Sequence, residues 1–187
     1  MTELVEDLLL LARLDSGRPL DVAKADLSPL VVDAVSDARA ADVGDHAWRL
    51  VLPDDPAVVL GDRDRLHQVL VNLLANARTH TPPGRRSRRG WCGRLRGRWG
   101  HGPGAAEGGI AVEIEDDGPG IPPDLLPRVF ERFARGDASR ARAVGGTTGS
   151  TGLGLAIVQA VVTAHGGRVA VRSEPGRTVF TVWLPAA

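Results

Sequence analysis

The sequence predicts an α/β protein built as a two-layer α/β sandwich, and three observations carry that prediction. Asp62 to Arg78 and Thr151 to His165 place apolar residues at helical spacing, so each segment has one face to bury. Ile110 to Glu115 alternates Ile, Val and Ile with Ala and Glu, the pattern of a half-buried strand. The chain closes with a hairpin, Arg168 to Ser173 and Thr178 to Leu184, about Glu174-Pro175-Gly176-Arg177. A closing antiparallel hairpin mixed with helices favours helices laid over a sheet, rather than a doubly wound parallel sheet.

Taken in order, residues 3 to 14 read as the end of a helix, with Leu4, Leu8, Leu11 and Leu14 on one side. Asp15-Ser16-Gly17-Arg18-Pro19 stops it. It begins without a cap, as the tail of a longer element would. Ser28 as N-cap and Pro29 at the first helical position open a helix that runs to about Ala41. Trp48 to Leu52 and Ala57 to Leu60 read as two short strands on either side of a Pro-Asp-Asp-Pro turn. In the helix from Asp62 the apolar positions are Leu66, Val69, Leu70, Leu73, Leu74 and Ala77. In the helix from Thr151 they are Leu153, Ala156, Ile157, Ala160, Val161 and Ala164, and Gly166-Gly167 ends it. Leu126 to Gly136 holds two of the three phenylalanines, Phe130 and Phe133; the simple reading is a short helix packing its aromatic side on the core, with Arg135 a surface charge.

Composition narrows the class. A length of 187 residues suits one ordinary domain, or one domain with an appendage. The formal net charge of zero gives no global argument for a nucleic-acid or membrane partner. The longest apolar run, Leu8 to Ala12, is too short to span a bilayer. The residues after Met1 are acidic where a secretory signal would be basic. The single cysteine, Cys92, excludes an internal disulfide and a cysteine-based metal site. The expectation is a reduced, soluble, cytoplasmic domain. One lysine, Lys24, among many arginines, with abundant alanine, suggests GC-rich coding DNA.

Three segments carry candidate chemistry. Asn72 and Asn76, four residues apart on one helix, share a face roughly 40° wide. Their amide oxygens suit Mg²⁺ where phosphates supply the negative charge; otherwise they are solvated asparagines on an exposed face. Asp116-Asp117-Gly118-Pro119-Gly120-Ile121 follows the strand directly. Its glycines allow a ligand to approach, and a carboxylate at the strand end can accept a hydrogen bond from an exocyclic amine such as adenine's. The plain alternative is an ordinary Asp-Gly/Pro-Gly turn. Gly145 to Leu155 is a glycine-rich loop entering a helix, where free N–H groups and a partial positive charge bind phosphate; the alternative is a flexible linker. No Gly-Lys-Ser/Thr follows it, so it is not a P-loop, and it does not directly follow a strand, so it is not a Rossmann turn.

Together, Asn72-Leu73-Leu74-Ala75-Asn76-Ala77, Asp116-Asp117-Gly118-Pro119-Gly120-Ile121-Pro122, Phe130-Glu131-Arg132-Phe133 and Gly152-Leu153-Gly154-Leu155 resemble four boxes of one family. They are similar to the N box, first glycine box, F box and second glycine box of the catalytic domain of bacterial sensor histidine kinases. That domain shares a superfamily, and the Bergerat-type ATP-binding fold, with gyrase-type, chaperone and mismatch-repair ATPases. The resemblance covers nearly the whole chain except residues 85 to 109.

The resemblance implies roles. Asn76, helped by Asn72, would hold Mg²⁺ on the triphosphate of ATP. Asp116 would bind the adenine amino group, with Gly118, Gly120 and Ile121 shaping the pocket. Arg135 would sit near the terminal phosphate and, with Asn76, serve catalysis. Phe133, Gly149, Thr151, Gly152, Leu153 and Gly154 complete the nucleotide contacts, and residues 136 to 151 form a mobile lid. Where many relatives carry a basic residue this chain has Thr79, and Arg78 or His80 is the candidate to compensate. Residues 1 to 16 would be the end of a dimerisation and phosphoacceptor helix, residues 17 to 25 a linker, and residues 26 to 187 the ATP-binding domain. The implied partners are a phosphoacceptor domain supplied elsewhere, a response regulator and, in the intact parent, a second copy. Whether that parent is anchored in the plasma membrane is left open by the sequence.

Two departures qualify this. None of His46, His67, His80, His101 and His165 has the His-Glu/Asp context of the family's phosphoacceptor. The alternatives to a kinase domain acting on a separate histidine are a non-catalytic ATP-binding or dimerisation remnant and an anti-sigma-type serine kinase. The second departure is residues 85 to 109, with seven arginines from Arg85 to Trp99, little β propensity and no alternation. No nucleic-acid partner is expected from this run. A basic run with tryptophans can bind nucleic acid or an acidic membrane, but a disordered insertion is the stronger expectation. The preferred reading is GC-rich DNA read out of frame and restored before Ile110, which puts one strand of the sheet at risk.

Overall fold

The computed structural model describes residues 2–17, 19–42, 47–81, 91–99, 109–134 and 152–187. Along the chain lie α1 (Thr2–Asp15), β1 (Ala23–Asp26), α2 (Leu27–Ala40), β2 (Trp48–Val51), β3 (Val58–Gly61) and α3 (Arg63–His80). They are followed by β4 (Trp91–Trp99), β5 (Gly109–Asp116), a 3-10 turn (Leu126–Arg128), α4 (Gly154–Ala164), β6 (Arg168–Glu174) and β7 (Arg177–Pro185). The two-layer α/β architecture is as the sequence predicts. A five-stranded sheet, ordered β2-β4-β5-β7-β6, forms one layer and the helices the other, while β1 and β3 pair as a separate antiparallel ribbon.

The core lies between the layers. Ile110, Val112 and Ile114 of β5 and Phe180, Val182 and Leu184 of β7 point one way from their strands and meet α3 and α4. From the helices come Leu66, Val69, Leu70, Leu73 and Leu74, then Ile157, Val158, Val161 and Val162. These are largely the positions the helical period selects. Burying a side chain of the size of Phe180 contributes about 1.5–3 kcal/mol, so this seam holds α3 and α4 at fixed positions over the sheet. His165 ties the two helices at their far ends. Its Nε2 accepts the Asp62 N–H (2.9 Å) and its Nδ1 lies 2.7 Å from the Val161 carbonyl. The ring is therefore the neutral Nδ1–H tautomer, serving α3 as an N-terminal acceptor beside the Asp62 carboxylate that caps Arg65 N–H.

Four local expectations are corrected. First, the N-cap of α2 is Asp26, not Ser28: its Oδ1 accepts the Ser28 N–H (2.9 Å) and also the Ala57 N–H (3.2 Å). A carboxylate serving both the helix and the adjoining chain displaces the hydroxyl two residues later. Second, α1 buries Leu10 and Leu11, with Leu14 packed beside them, while Leu4 and Leu8 remain 37% and 40% exposed. Only the final turns of α1 reach α4, so the stripe is covered at one end. Third, Ala23–Asp26 is a strand, because pairing with β3 satisfies its backbone although its sequence has no strand pattern.

Fourth, the segment from Trp91 to Trp99 is β4, and no strand is lost. It pairs parallel to β2 (Trp48 opposite Trp91) and antiparallel to β5 (Glu113 opposite Arg94), with a register irregularity between Arg96 and Trp99. β propensity is a weak preference that pairing on both sides overrides, since β5 would otherwise bury an unpaired backbone edge. The rest of 85–109 lies outside the described residues. No helix among the described residues is long and apolar enough to cross a membrane.

Candidate nucleotide site

The site is built where the C-terminal half of α3, the turn after β5 and the start of α4 converge. Asp116 is the last residue of β5 and continues its inward-facing alternation, so its carboxylate enters the core side of the sheet, 4% exposed. Its Oδ1 accepts the Gly118 N–H at 2.9 Å. Burial pushes the Asp116 pKa from 3.8 up to about 6; the Gly118 hydrogen bond opposes this, and neighbouring Asp117 and Glu115 add to it. Directly opposite on β7 is Thr178, 3% exposed, and Thr81 at the end of α3 is 5% exposed. These two buried hydroxyl residues were missed by sequence reasoning. The alternation of β7 marks Thr178 as inward-facing, a signal that was available; Thr81 has no local signal.

Gly118 is a point of close approach. A Cβ there would lie 2.8 Å from Asp116 Oδ1, 3.1 Å from the His80 carbonyl oxygen and 3.4 Å from Thr81 Oγ1. A side chain would therefore collide with the carboxylate and the carbonyl, so glycine lets the turn pack closely against the end of α3. Gly120 is required for a different reason: its φ is +87°, and a Cβ would press within 2.9 Å of the Glu174 carbonyl oxygen. Ile121 follows, its side chain packed against the core and its N–H bonded to Ser173 Oγ.

Asn72 and Asn76 are both half-buried on α3. Asn72 Nδ2 donates to the Gly154 carbonyl (3.3 Å), which fastens α3 to the first turn of α4 and leaves the amide oxygen of Asn72 as its acceptor end. A Cβ at Gly154 would reach Asn72 only at an ordinary packing distance, 3.7 Å, so it is the hydrogen bond rather than a steric need for glycine that defines this junction. Of the candidates to replace a basic residue at position 79, Arg78 gives one donor to the Ala41 carbonyl at the end of α2 (2.6 Å), and His80 is exposed. Thr79 turns its hydroxyl back to Ala75 of its own helix.

α4 begins at Gly154 after Leu153, and among the described residues no side chain caps it. Its first N–H groups and partial positive charge thus lie beside Asn72, whose amide meets Gly154. Leu153 itself is fully buried and anchors the start of the helix. Gly152, with φ +72°, accepts the Phe133 N–H at 2.9 Å. Arg135, Gly149 and Thr151 lie outside the described residues.

The two phenylalanines separate. Phe130 meets Phe180 edge-on, with centroids 6.3 Å apart at 82°. Phe133 is 59% exposed, with φ +62°, and does not pack on the core as the three-residue spacing suggested. That spacing aligns two side chains only within a continuing helix. Here the 3-10 turn ends at Arg128, and the backbone at Phe133 enters the left-handed region, turning the ring outward. Arg132 beside it forms an exposed ion pair with Asp15 of α1.

A Gly152→Ala substitution tests the Phe133–Gly152 junction. The positive φ costs a non-glycine residue about 1–2 kcal/mol. The new Cβ would also meet Phe133 Cα at 3.0 Å. The expected outcome is a lower thermal midpoint together with weaker nucleotide binding, read by melting curves with and without ATP; an unchanged midpoint would contradict the geometry.

Comparison with known proteins agrees with the architecture. Residues 61–187 match the family described as histidine kinase-, DNA gyrase B-, and HSP90-like ATPase. The probable sensor histidine kinase TcrY of Mycobacterium tuberculosis is 55% identical over 185 residues, covering 99% of this chain and 35% of TcrY. The chain therefore spans about a third of the length of that relative, and a similar share of sensor histidine kinase TrcS of the same organism, 45% identical over 99% of this chain and 34% of TrcS. Among solved structures, full-length ShkA in complex with AMPPNP superposes with a TM-score of 0.77 at 29% identity, over 99% of this chain and 35% of the ShkA chain.

Proposed function

Because the chain belongs to the histidine kinase-, DNA gyrase B- and HSP90-like ATPases, with sensor histidine kinases among its relatives, we propose that it binds Mg²⁺-ATP and presents the terminal phosphate to a histidine outside residues 1–187. The observation that carries this reading is the buried Asp116 carboxylate beside the Gly118 turn. A carboxylate kept in the core at the end of a strand, followed by a glycine turn that sets no side chain against it, suits an exocyclic amine as its partner.

The residues divide the work by position. Asp116 accepts from the adenine amino group, and Gly118, Gly120 and Ile121 shape the base pocket. Gly152, Leu153 and Gly154, at the start of α4, bring backbone N–H groups to the phosphates. The amide oxygens of Asn76 and Asn72, hard neutral ligands, would hold Mg²⁺. Bound there, Mg²⁺ would offset the negative charge of the triphosphate. Phosphoryl transfer depends mainly on positioning and charge stabilisation, so this chain supplies one half of the reaction and the acceptor the other. Arg135 is the candidate for the terminal phosphate, and Phe133, Gly149 and Thr151 are candidates for further nucleotide contacts. Arg78 and His80 are candidates to supply the positive charge that Thr79 lacks. Residues 1 to 16 fit the end of a dimerisation helix, with a response regulator as the later phosphate acceptor.

The test combines the protein with γ-labelled ATP and a separately expressed histidine-containing phosphoacceptor domain of a close relative. Acid-labile, alkali-stable label on that domain is the expected result. ATP binding with no labelled histidine would identify a non-catalytic binding module, and labelled serine on a partner a serine kinase.

A further inference from the structure

We propose that Ser173 is a positioning residue of the nucleotide site, whose hydroxyl clamps the turn after β5 into its ligand-ready form. The inference rests on the ATP-site reading and adds a residue to it. Ser173 lies on β6, which is not the neighbour of β5: β7 stands between them. The turn leaving Asp116 therefore has to cross over the start of β7 before it can touch β6. It does so, and two hydrogen bonds hold it there: Gly176 N–H donates to the Gly118 carbonyl (2.9 Å) and Ile121 N–H donates to Ser173 Oγ (2.8 Å). Between them Gly120 passes close to the Glu174 carbonyl at a φ only glycine accepts readily.

A hydroxyl is suited to the central position because it accepts and donates at once. Ser173 Oγ takes the Ile121 N–H and also shares a hydrogen bond with Thr178 Oγ1 at 2.9 Å. Thr178 is the residue paired with Asp116 across β5 and β7. One side chain thus links the far end of the glycine turn to the strand position opposite the buried carboxylate. Without it, residues 117–121 keep the Gly176 contact and the internal Asp116–Gly118 bond, while two glycines leave the backbone many alternatives. Ordering them would then fall on the ligand, weakening every nucleotide that uses the base pocket by the same factor, whatever its number of phosphates.

The experiment compares the natural chain with Ser173→Ala and Ser173→Thr. Amide hydrogen exchange is followed at Ile121 and at core amides of β5 and β7, and ADP and ATP affinities are measured well below the melting point. In Ser173→Ala the Ile121 amide is expected to exchange markedly faster while the core amides do not, and ADP and ATP to weaken alike by about tenfold, or about 1.4 kcal/mol, the scale of one hydrogen bond. Ser173→Thr, which keeps the hydroxyl, restores both. Unchanged affinity in Ser173→Ala, or a threonine variant as weak as alanine, overturns the proposal; a merely structural role would lower the melting point alone. Should Ser173→Ala not fold, Ile121 exchange in the natural chain decides: an amide exchanging at the rate of an open loop has no clamp. If the natural chain binds neither nucleotide, the ATP reading fails, and Ile121 exchange still reports on the clamp by itself.

Discussion

An Asp116→Ala chain is expected to bind ATP roughly ten- to hundredfold more weakly than the natural sequence at pH 8, the loss associated with one hydrogen bond to a charged group, about 1.5–3 kcal/mol. The same residue makes binding depend on pH. Burial pushes the Asp116 pKa up to about 6, and on the proposed contact the ionised carboxylate is the stronger acceptor for the adenine amine. Affinity should therefore fall as the pH drops through about 6, where binding must release the proton held by the free carboxyl, and this dependence should vanish in Asp116→Asn. Calorimetric titration between pH 5 and 8, spanning this transition, reads both effects. A flat profile in the natural chain, or unchanged affinity in Asp116→Ala, would count against the base pocket.

The stability of the ligand-free protein should move in the opposite direction. A carboxyl whose pKa rises on folding favours the fold less once ionised. Its contribution is neutral below 3.8, declines as the pH rises from 3.8 to about 6, and stays unfavourable above that. A shift of about two pH units corresponds to about 3 kcal/mol at most. Asp116→Asn keeps the shape without the charge, so it should raise the melting point at pH 8 while weakening ATP binding. That combination separates a functional carboxylate from a structural one, because a structural group would not stabilise the protein by losing its charge.

The second large effect is expected at Asn76. Asn76→Ala should reduce phosphoryl transfer to a separate acceptor domain by more than about a hundredfold, while ADP binding in the absence of Mg²⁺ stays close to that of the natural chain. The proposed base pocket leaves Asn76 out, so a loss confined to Mg²⁺-dependent steps is the diagnostic result. Asn72→Ala should behave differently. Asn72 also holds the Gly154 carbonyl, so its loss should loosen the α3–α4 junction and lower the melting point as well. Binding titrations with and without Mg²⁺, alongside thermal melts, distinguish the two. Equal loss of Mg²⁺-free ADP binding in Asn76→Ala would remove it as the ion's ligand.

Much of this was legible in the sequence because it is written in short-range patterns. The helical period of Leu66, Val69, Leu70, Leu73 and Leu74 selects the buried face of α3 whatever covers it, and leaves Asn72 and Asn76 beside that face. The alternation through Ile110, Val112 and Ile114 carries straight on to Asp116, so the inward direction of that carboxylate follows from strand geometry. Gly118 and Gly120 are equally local signals.

What tertiary structure decided depends on partners distant in sequence. Trp91–Trp99 is a strand because β2 and β5 pair with it, and its own residues carry no such instruction. Asp26 rather than Ser28 caps α2 because Ala57 N–H also needs an acceptor there. Phe133 turns outward because Gly152 holds its N–H, and Ser173 matters because the glycine turn crosses β7 to reach it. The sequence by itself determined which faces are apolar and which residues could meet a nucleotide, since periodicity and glycine geometry act over a few residues. Only the folded chain decided which backbone groups would lack partners, and therefore which side chains must supply them.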